Sequence, residues 1–308
     1  MKVLVTGGAG FIGSHVVDVY VAAGHEVIVV DNLCTGKREN LNLRARFVEL
    51  DIGDPATAQL IRDERPDVLN HHAAQMDVRR SVADPLFDAR TNILGTIALL
   101  EASRQAGVKR VLFVSSGGAA YGEQEIFPAP ETHPTWPVSP YGVSKRSGEL
   151  YCHFYQAEYG LPFVAFRYAN VYGPRQDPHG EAGVVAIFSG RMLRGEPITI
   201  NGDGTQTRDY VFVSDVARMS RLALECDATG PVNVGTARET DVNTLARTML
   251  EVSGSRSEVR HGPAKGGEQR RSVVDIRRAA DVFGWTPEVS LRDGLARTVE
   301  FFRARATG

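Results

Sequence analysis

The chain reads as short runs of β-branched and aliphatic residues separated by longer amphipathic stretches. The runs at 2–6, 26–31, 67–71, 110–115 and 162–167 are apolar at consecutive rather than alternate positions. Strands of that kind are buried on both faces, which predicts a parallel sheet covered by helices on each side. Beyond Tyr172 the rhythm loosens. Clustered Gly, Pro and Asp predict loops at 173–180 and 202–207, while 211–213 and 232–234 predict strands that return to the sheet. The expected architecture is α/β. A doubly wound parallel sheet spans 1–172 with returning segments near 210–236, and a smaller interleaved lobe is built from 173–209 and 237–308. No internal repeat or low-complexity segment interrupts it.

Composition adds mainly exclusions. The 308 residues are 43% hydrophobic, enough for a sizeable core. With 35 basic and 37 acidic residues, the net charge of -2 offers no broad electrostatic footprint for nucleic acid or an anionic membrane. A small-molecule partner is therefore expected. Cys34, Cys152 and Cys226 are odd in number and far apart, giving neither a disulfide framework nor a zinc pattern. The N-terminal apolar run is too short for a signal peptide, and no run approaches the roughly 18 apolar residues of a membrane span. The chain is expected to be soluble, unprocessed and cytoplasmic.

Candidate chemistry begins at Thr6-Gly-Gly-Ala-Gly-Phe-Ile-Gly13, which follows a strand and opens a helix near Phe11. Two glycine spacings fit, Gly8/Gly10/Gly13 and Gly7/Gly10/Gly13. Either lets the backbone approach a pyrophosphate seated on the positive end of the helix. Asp31 closes the second strand, where a carboxylate accepts ribose hydroxyls and repels a 2′-phosphate, so NAD is expected over NADP. A second motif, Ser139-Pro-Tyr-Gly-Val-Ser-Lys145, places Tyr141 and Lys145 about one helical turn apart. Ser139 caps this helix, Pro140 suits its first turn, and Gly160 with Pro162 ends it. A free tyrosine titrates near pH 10, so work as a base near neutrality requires its pKa to fall by about three, roughly 4 kcal/mol. Lys145 and the positive ring of oxidised NAD supply that jointly. His71 and His72 are adjacent on a strand and point to opposite sides, so no metal site is predicted. Arg270, Arg271, Arg277 and Arg278 read as a solvated basic face.

These motifs, together with His71-His-Ala-Ala-Gln75, Ser115-Ser116 with Tyr121-Gly122, Arg167-Tyr-Ala-Asn-Val-Tyr-Gly-Pro174 and Arg208-Asp-Tyr210, resemble the extended short-chain dehydrogenase/reductase family. Within that family they are similar to the UDP-glucose 4-epimerase group, over nearly the whole chain. The resemblance implies a Rossmann-like fold and assigns cofactor contacts to Gly7, Gly10, Phe11, Ile12, Gly13, Asp31 and Asn32. It places Asp51 and Ile52 around the adenine, Ala73 and Ala74 at the phosphates, Asn92 and Ser115 in support, and Tyr168 facing the nicotinamide. Tyr141 is implied as the base that takes the proton of the sugar's 4-hydroxyl while hydride passes from carbon 4 to NAD. The resulting 4-keto sugar turns over and is reduced on its other face. Asn170 and Arg208 match positions that hold the nucleotide diphosphate. A homodimer through paired helices is expected by analogy.

Three departures modify that expectation. Gly117 stands at the sugar-facing position where a Ser or Thr binds the reacting hydroxyl, and Ser116 is the candidate replacement, although it can equally satisfy backbone groups at a strand end. Lys265 and Glu268 replace an Arg-x-Gly-Asp clamp on the nucleotide, and a lysine lacks the bidentate fork. Ser272 falls where a larger residue narrows the sugar pocket in some relatives, so an N-acetylated hexose is expected to fit. Gly118 and Ala119 stand where sugar dehydratases carry Asp-Glu, which argues against dehydration. A decarboxylase, a reductase and a non-catalytic dinucleotide sensor remain as rival readings.

Overall fold

The computed structural model describes residues 1–178, 183–264 and 269–306; Lys265 and Glu268 lie outside them. The first half runs β1 (Lys2–Thr6), α1 (Phe11–Ala22), β2 (Glu26–Asp31), β3 (Arg46–Glu49), α2 (Pro55–Glu64), β4 (Val68–His71), α3 (Val78–Ala83), α4 (Pro85–Ala89), α5 (Gly95–Ala106), β5 (Arg110–Ser116), α6 (Gly117–Ala120), α7 (Pro140–Tyr159) and β6 (Phe163–Tyr168). The second half runs β7 (Asn170–Tyr172), α8 (Val184–Leu193), β8 (Ile198–Asn201), β9 (Thr207–Arg208), β10 (Tyr210–Phe212), α9 (Val213–Leu222), β11 (Gly230–Val234), β12 (Thr240–Asp241), α10 (Val242–Ser253), β13 (Val259–Gly262), β14 (Arg271–Ser272), α11 (Arg277–Phe283) and α12 (Leu291–Ala306).

The central sheet has the order β11-β6-β5-β4-β1-β2-β3, and each of its pairs is parallel. Both faces are covered, which explains the consecutive apolar runs. Successive residues of β1 divide between two cores: Val3 and Val5 join Val16, Phe166 and Trp285, whereas Leu4 joins Ile28, Leu99 and Phe113. A third core, around Tyr172, Phe188, Ile198, Phe212, Leu245 and Leu295, belongs to the second lobe.

Two sequence expectations are corrected. The 211–213 run does not return to the central sheet; it lies in β10, which pairs with β7 in a separate two-stranded parallel sheet, and Val213 already opens α9. Its apolar run reflects burial from both sides, which does not specify a partner. Residues 277–285 also belong more to the main domain than to the lobe: Ala279, Phe283 and Trp285 pack into the first core, and Trp285 Nε1 donates to Asp215 O at 2.9 Å. The edge strand β3 gave no clear sequence signal because it is only half buried.

Helix α7 is anchored by a buried ion pair. Arg167 on β6 donates through Nε and Nη2 to the two carboxylate oxygens of Glu149 on α7, at 2.9 and 2.7 Å. Both side chains are 2% exposed. Burial pushes the Glu149 carboxyl up, but Arg167, Ser115 and Arg146 outweigh it and hold the group below its ordinary value. Arg167 also donates to Tyr121 Oη at 3.0 Å, and Tyr121 donates to Asn233 Oδ1 on β11 at 2.7 Å. Removing one member of such a pair leaves an uncompensated buried charge. Arg167→Met is therefore expected to lower stability by about 3–5 kcal/mol in urea denaturation; a loss below about 1 kcal/mol would mean that Ser115 and Arg146 suffice to hold Glu149.

Candidate active site

The glycine turn sits at the C-terminal end of β1. Gly7 has φ +71°, and a Cβ there would lie 2.6 Å from Ala73 N; a Cβ on Gly13 would lie 2.2 Å from Gly7 O. Only glycine allows this packing of turn, helix and the 72–75 loop. Gly8 is confined as well, by Val29, so both predicted spacings contain sterically restricted glycines. The helix cap is Gly10, no side chain caps α1, and its first turn holds no acidic residue. The helix start at Phe11 and Ile12 therefore presents amides and a positive dipole end to an anion.

Asp31 ends β2 beside this turn, with Oδ2 accepting from Ala9 N at 3.0 Å and Oδ1 from Leu33 N at 2.8 Å. These bonds orient the carboxylate and leave each oxygen a further lone pair. Next to it, Asn32 donates to Asp51 Oδ2 at 2.6 Å, and both residues are exposed at the sheet edge. Ile52 behaves differently: it is 6% exposed and packs in the second core beneath Gly95. Ala73 and Ala74 are half-buried, and Ala73 N donates to Thr6 Oγ1 at 3.2 Å.

Helix α7 begins where the sequence places it. Ser139 accepts from Gly142 N, Pro140 opens the first turn, and Gly160 closes the helix in the left-handed conformation. Tyr141 N donates to Ser81 Oγ at 3.2 Å, fixing the first turn against α3. Lys145 is buried, and its ammonium donates to Val114 O on β5 at 2.9 Å, 5.8 Å from the Tyr141 ring centre and 5.4 Å from that of Phe113. Burial pulls its pKa down to about 8, opposed by the charge of Asp88. The neighbouring His71 and His72 are pushed down to about 3, by burial first and then by Lys145. His71 bridges Thr6 Oγ1 at 2.7 Å and Thr96 Oγ1 at 3.1 Å, a packing role.

Several of the expected site residues also have partners in the fold. Ser115 donates to Glu149 at 2.6 Å and so belongs to the buried ion-pair network. The Asn92 side chain is spent on Gln75 N, Gln75 O and Asp88, so it braces the 72–77 loop. The Tyr168 ring stacks on Phe166, with its hydroxyl 3.4 Å from Ser220 Oγ. At 4% exposure it packs in the first core. Ser116 Oγ accepts from Ala119 N at 3.2 Å and caps α6, while its own proton remains available to a ligand.

Gly117 has a steric cause. A Cβ there would lie 2.9 Å from Val274 Cγ1 and 3.3 Å from the carbonyls of Arg167 and Tyr168, so the expected hydroxyl-bearing residue has no room. Ser272, 4% exposed, places its Oγ 3.8 Å from the Cβ position of Gly118. It also pairs with Arg208 across β14 and β9. Asn170 is exposed at the start of β7, and Arg208 Nη1 donates to Thr207 O at 2.8 Å.

Asp209, in the Arg208-Asp-Tyr210 motif, has a structural role that the sequence did not suggest. It is buried and accepts from Thr236 N, Thr236 Oγ1 and Ala237 N, while its backbone joins Ser272 O and Asn170 N. Burial raises its carboxyl to about 6 against those donors. An acidic residue directly before the apolar run at 210–213 was the available signal. The four arginines of the basic face are individually engaged, for example Arg271 with Glu239 at 2.6 Å and Arg277 with Asp275. No described helix is long and apolar enough to cross a membrane, and the described residues contain no metal-holding cluster of His, Cys, Asp or Glu.

Comparison with known proteins places this geometry in context. The model of the NAD dependent epimerase/dehydratase family matches residues 3–235. The UDP-glucose 4-epimerase of Mycolicibacterium smegmatis is 46% identical over 312 residues, covering 99% of this chain and 100% of that protein. The crystal structure of a UDP-glucose 4-epimerase with UDP-glucose from Thermotoga maritima superposes with a TM-score of 0.97 at 51% identity, covering 99% of this chain and 100% of that one. A Thermus thermophilus UDP-glucose 4-epimerase in complex with NAD gives a TM-score of 0.94 at 46% identity, covering 98% and 99%.

The Gly117 packing generates a specific expectation. Gly117→Ser should cost about 1–3 kcal/mol of stability without raising turnover. Val274→Ala, destabilising in the parent, should cost less in that background, as read by urea denaturation. Additive losses would exclude the collision.

Proposed function

The chain belongs to the NAD dependent epimerase/dehydratase family, and on that premise we propose that it inverts carbon 4 of a nucleotide-diphosphate hexose, with UDP-glucose and UDP-galactose as the leading pair. The observation that carries the reading is the Tyr141–Lys145 pair, with the lysine buried against β5. The residues fit NAD. The Gly7–Ala73 and Gly13–Gly7 contacts form a cradle that any Cβ would fill, and the uncapped start of α1 offers amides to the pyrophosphate. Asp31 accepts ribose hydroxyls, and Asn32 with Asp51 borders the adenine side. When bound, NAD takes the hydride from carbon 4 and returns it to the opposite face of the sugar.

The chain's own groups move the proton and hold the substrate. Tyr141 accepts the proton of the 4-hydroxyl as the carbonyl forms and gives it back after the ketone has turned over. Lys145 favours the ionised phenol through its charge and is itself oriented by Val114 O. Ser116, which accepts from Ala119 N through one lone pair, donates its hydroxyl proton toward the sugar oxygen in place of the residue excluded at Gly117. Asn170 and Arg208 take the nucleotide diphosphate, with Lys265 and Glu268 assigned to the same end of the substrate from sequence alone. The small Ser272 leaves space for an N-acetylated sugar.

We also assign a homodimer and a cytoplasmic location. Val143, Leu150 and Phe154 form an exposed stripe on α7 beside Val82 and Leu86, and a second copy would cover it. The cysteines are unpaired, which suits a reducing compartment.

Two tests follow. Tyr141→Phe should keep bound NAD and lose at least about 10²-fold in turnover of UDP-glucose to UDP-galactose followed by NMR; full activity in the variant would remove Tyr141 as the base. Leu150→Asp with Phe154→Asp should shift the sedimenting species from dimer to monomer, and a wild-type protein that already sediments as a monomer would refute the assembly.

A further inference from the structure

Asp88 is fully buried on α4. Its carboxylate receives hydrogen bonds from Ser144 Oγ, from Gln75 Nε2 at 3.1 Å and from Asn92 Nδ2 at 3.0 Å. All three partners are neutral donors, which is the environment of an acceptor-only carboxylate. Burying an anion among neutral groups is costly unless a cation offsets it. Ser144 immediately precedes Lys145 on α7, and Lys145 is itself a buried cation without an ion-pair partner at contact distance among the described residues. Two opposite charges are thus enclosed along the packed α4 and α7 interface.

The surroundings of Lys145 leave few alternatives. From β5 it meets the Val114 carbonyl and the Phe113 ring. At the end of β4, His71 and the following His72 are held neutral by burial and by the charge of Lys145. On its own helix, Tyr141 lies one turn before, while Glu149 one turn later is engaged by Arg167 and Arg146. Asp88 is the group whose charge opposes the effect of burial on Lys145.

We propose that Asp88 is a positioning residue for the Tyr141–Lys145 pair: its carboxylate, clamped between α4 and α7, is the counter-charge that keeps Lys145 protonated in its buried seat. The same carboxylate ties α7 to Gln75 and Asn92, and so to the loop that carries Ala73 and Ala74. The inference rests on the reading of Lys145 as the cation that supports Tyr141. Without the counter-charge, Lys145 would lose its proton nearer neutrality, and the phenol would lose the charge that favours its ionisation.

The chain has five lysines, at positions 2, 37, 109, 145 and 265, so protein labelled with ¹³Cε-lysine and carrying its NAD gives a tractable NMR titration. Lys145→Arg identifies the signal. In Asp88→Asn the Lys145 titration should move about one pH unit or more lower. In Ser144→Ala, which removes one hydrogen bond and keeps the charge, it should stay at the wild-type position. Asp88→Ser provides a second charge-removing variant should the asparagine protein not fold. A wild-type titration in the charge-removing variant, or an equal shift in Ser144→Ala, overturns the proposal. The titration requires no turnover. A wild-type protein inactive on every nucleotide sugar would defeat the epimerase reading and leave this result to stand or fall separately.

Discussion

The buried pairing of Arg167 with Glu149 is the constraint on which the site depends. One partner belongs to a strand of the central sheet and the other to the helix that carries Tyr141 and Lys145, so the pair sets how that helix lies on the sheet. Tyr121 and Asn233 extend the connection to β11, and Asn233 Nδ2 then holds Ala129 O and Asp275 O at 3.0 Å. A network of this kind tolerates little rearrangement, because any unsatisfied member would be an exposed cost in a low-dielectric interior. The rigid alignment it enforces is what a proton-transfer site needs, since reactivity falls steeply with small errors of placement.

Around that frame the protein concentrates its polar groups at the C-terminal ends of the strands, where parallel sheets place their ligand sites. An uncapped helix start attracts negative charge there, and a carboxylate at the end of β2 attracts hydroxyls. The Lys145 ammonium lies 5.8 Å from the Tyr141 ring centre, and burial together with that charge holds both nearby histidines neutral. On the far side, Asp209 gathers the 236–237 turn, β14 and β7, so the residues expected to hold substrate are fixed through one buried acid.

Much of this was legible in the sequence where the cause is local. Consecutive apolar runs marked the buried strands, and Ser139, Pro140 and Gly160 marked the limits of α7. The glycine turn and Asp31 were readable because their chemistry lies within one strand–helix–strand unit. What escaped depends on distant partners. Gly117 could be read as a missing hydroxyl, but not as a position closed by Val274. Ser115 and Tyr168 belong to motifs, but their partners Glu149, Phe166 and Ser220 could not be read from them, because a strand sends alternate side chains to opposite faces. Asp88 is separated from Ser144 by 56 positions, and nothing local announces that they meet.

The chain's route through the sheet carries a consequence for its synthesis. Strand β6 finds its outer neighbour only in β11, after the first part of the second lobe has been made, and Trp285 closes the same core later still. At about 5–20 residues per second, a ribosome needs several seconds to supply the missing edge. During that interval the nascent sheet presents an open, apolar strand, the kind of surface that invites pairing with other chains. Interleaving the two lobes thus gives a rigid enzyme at the expense of a vulnerable infancy, in which neither half can complete itself before the other exists.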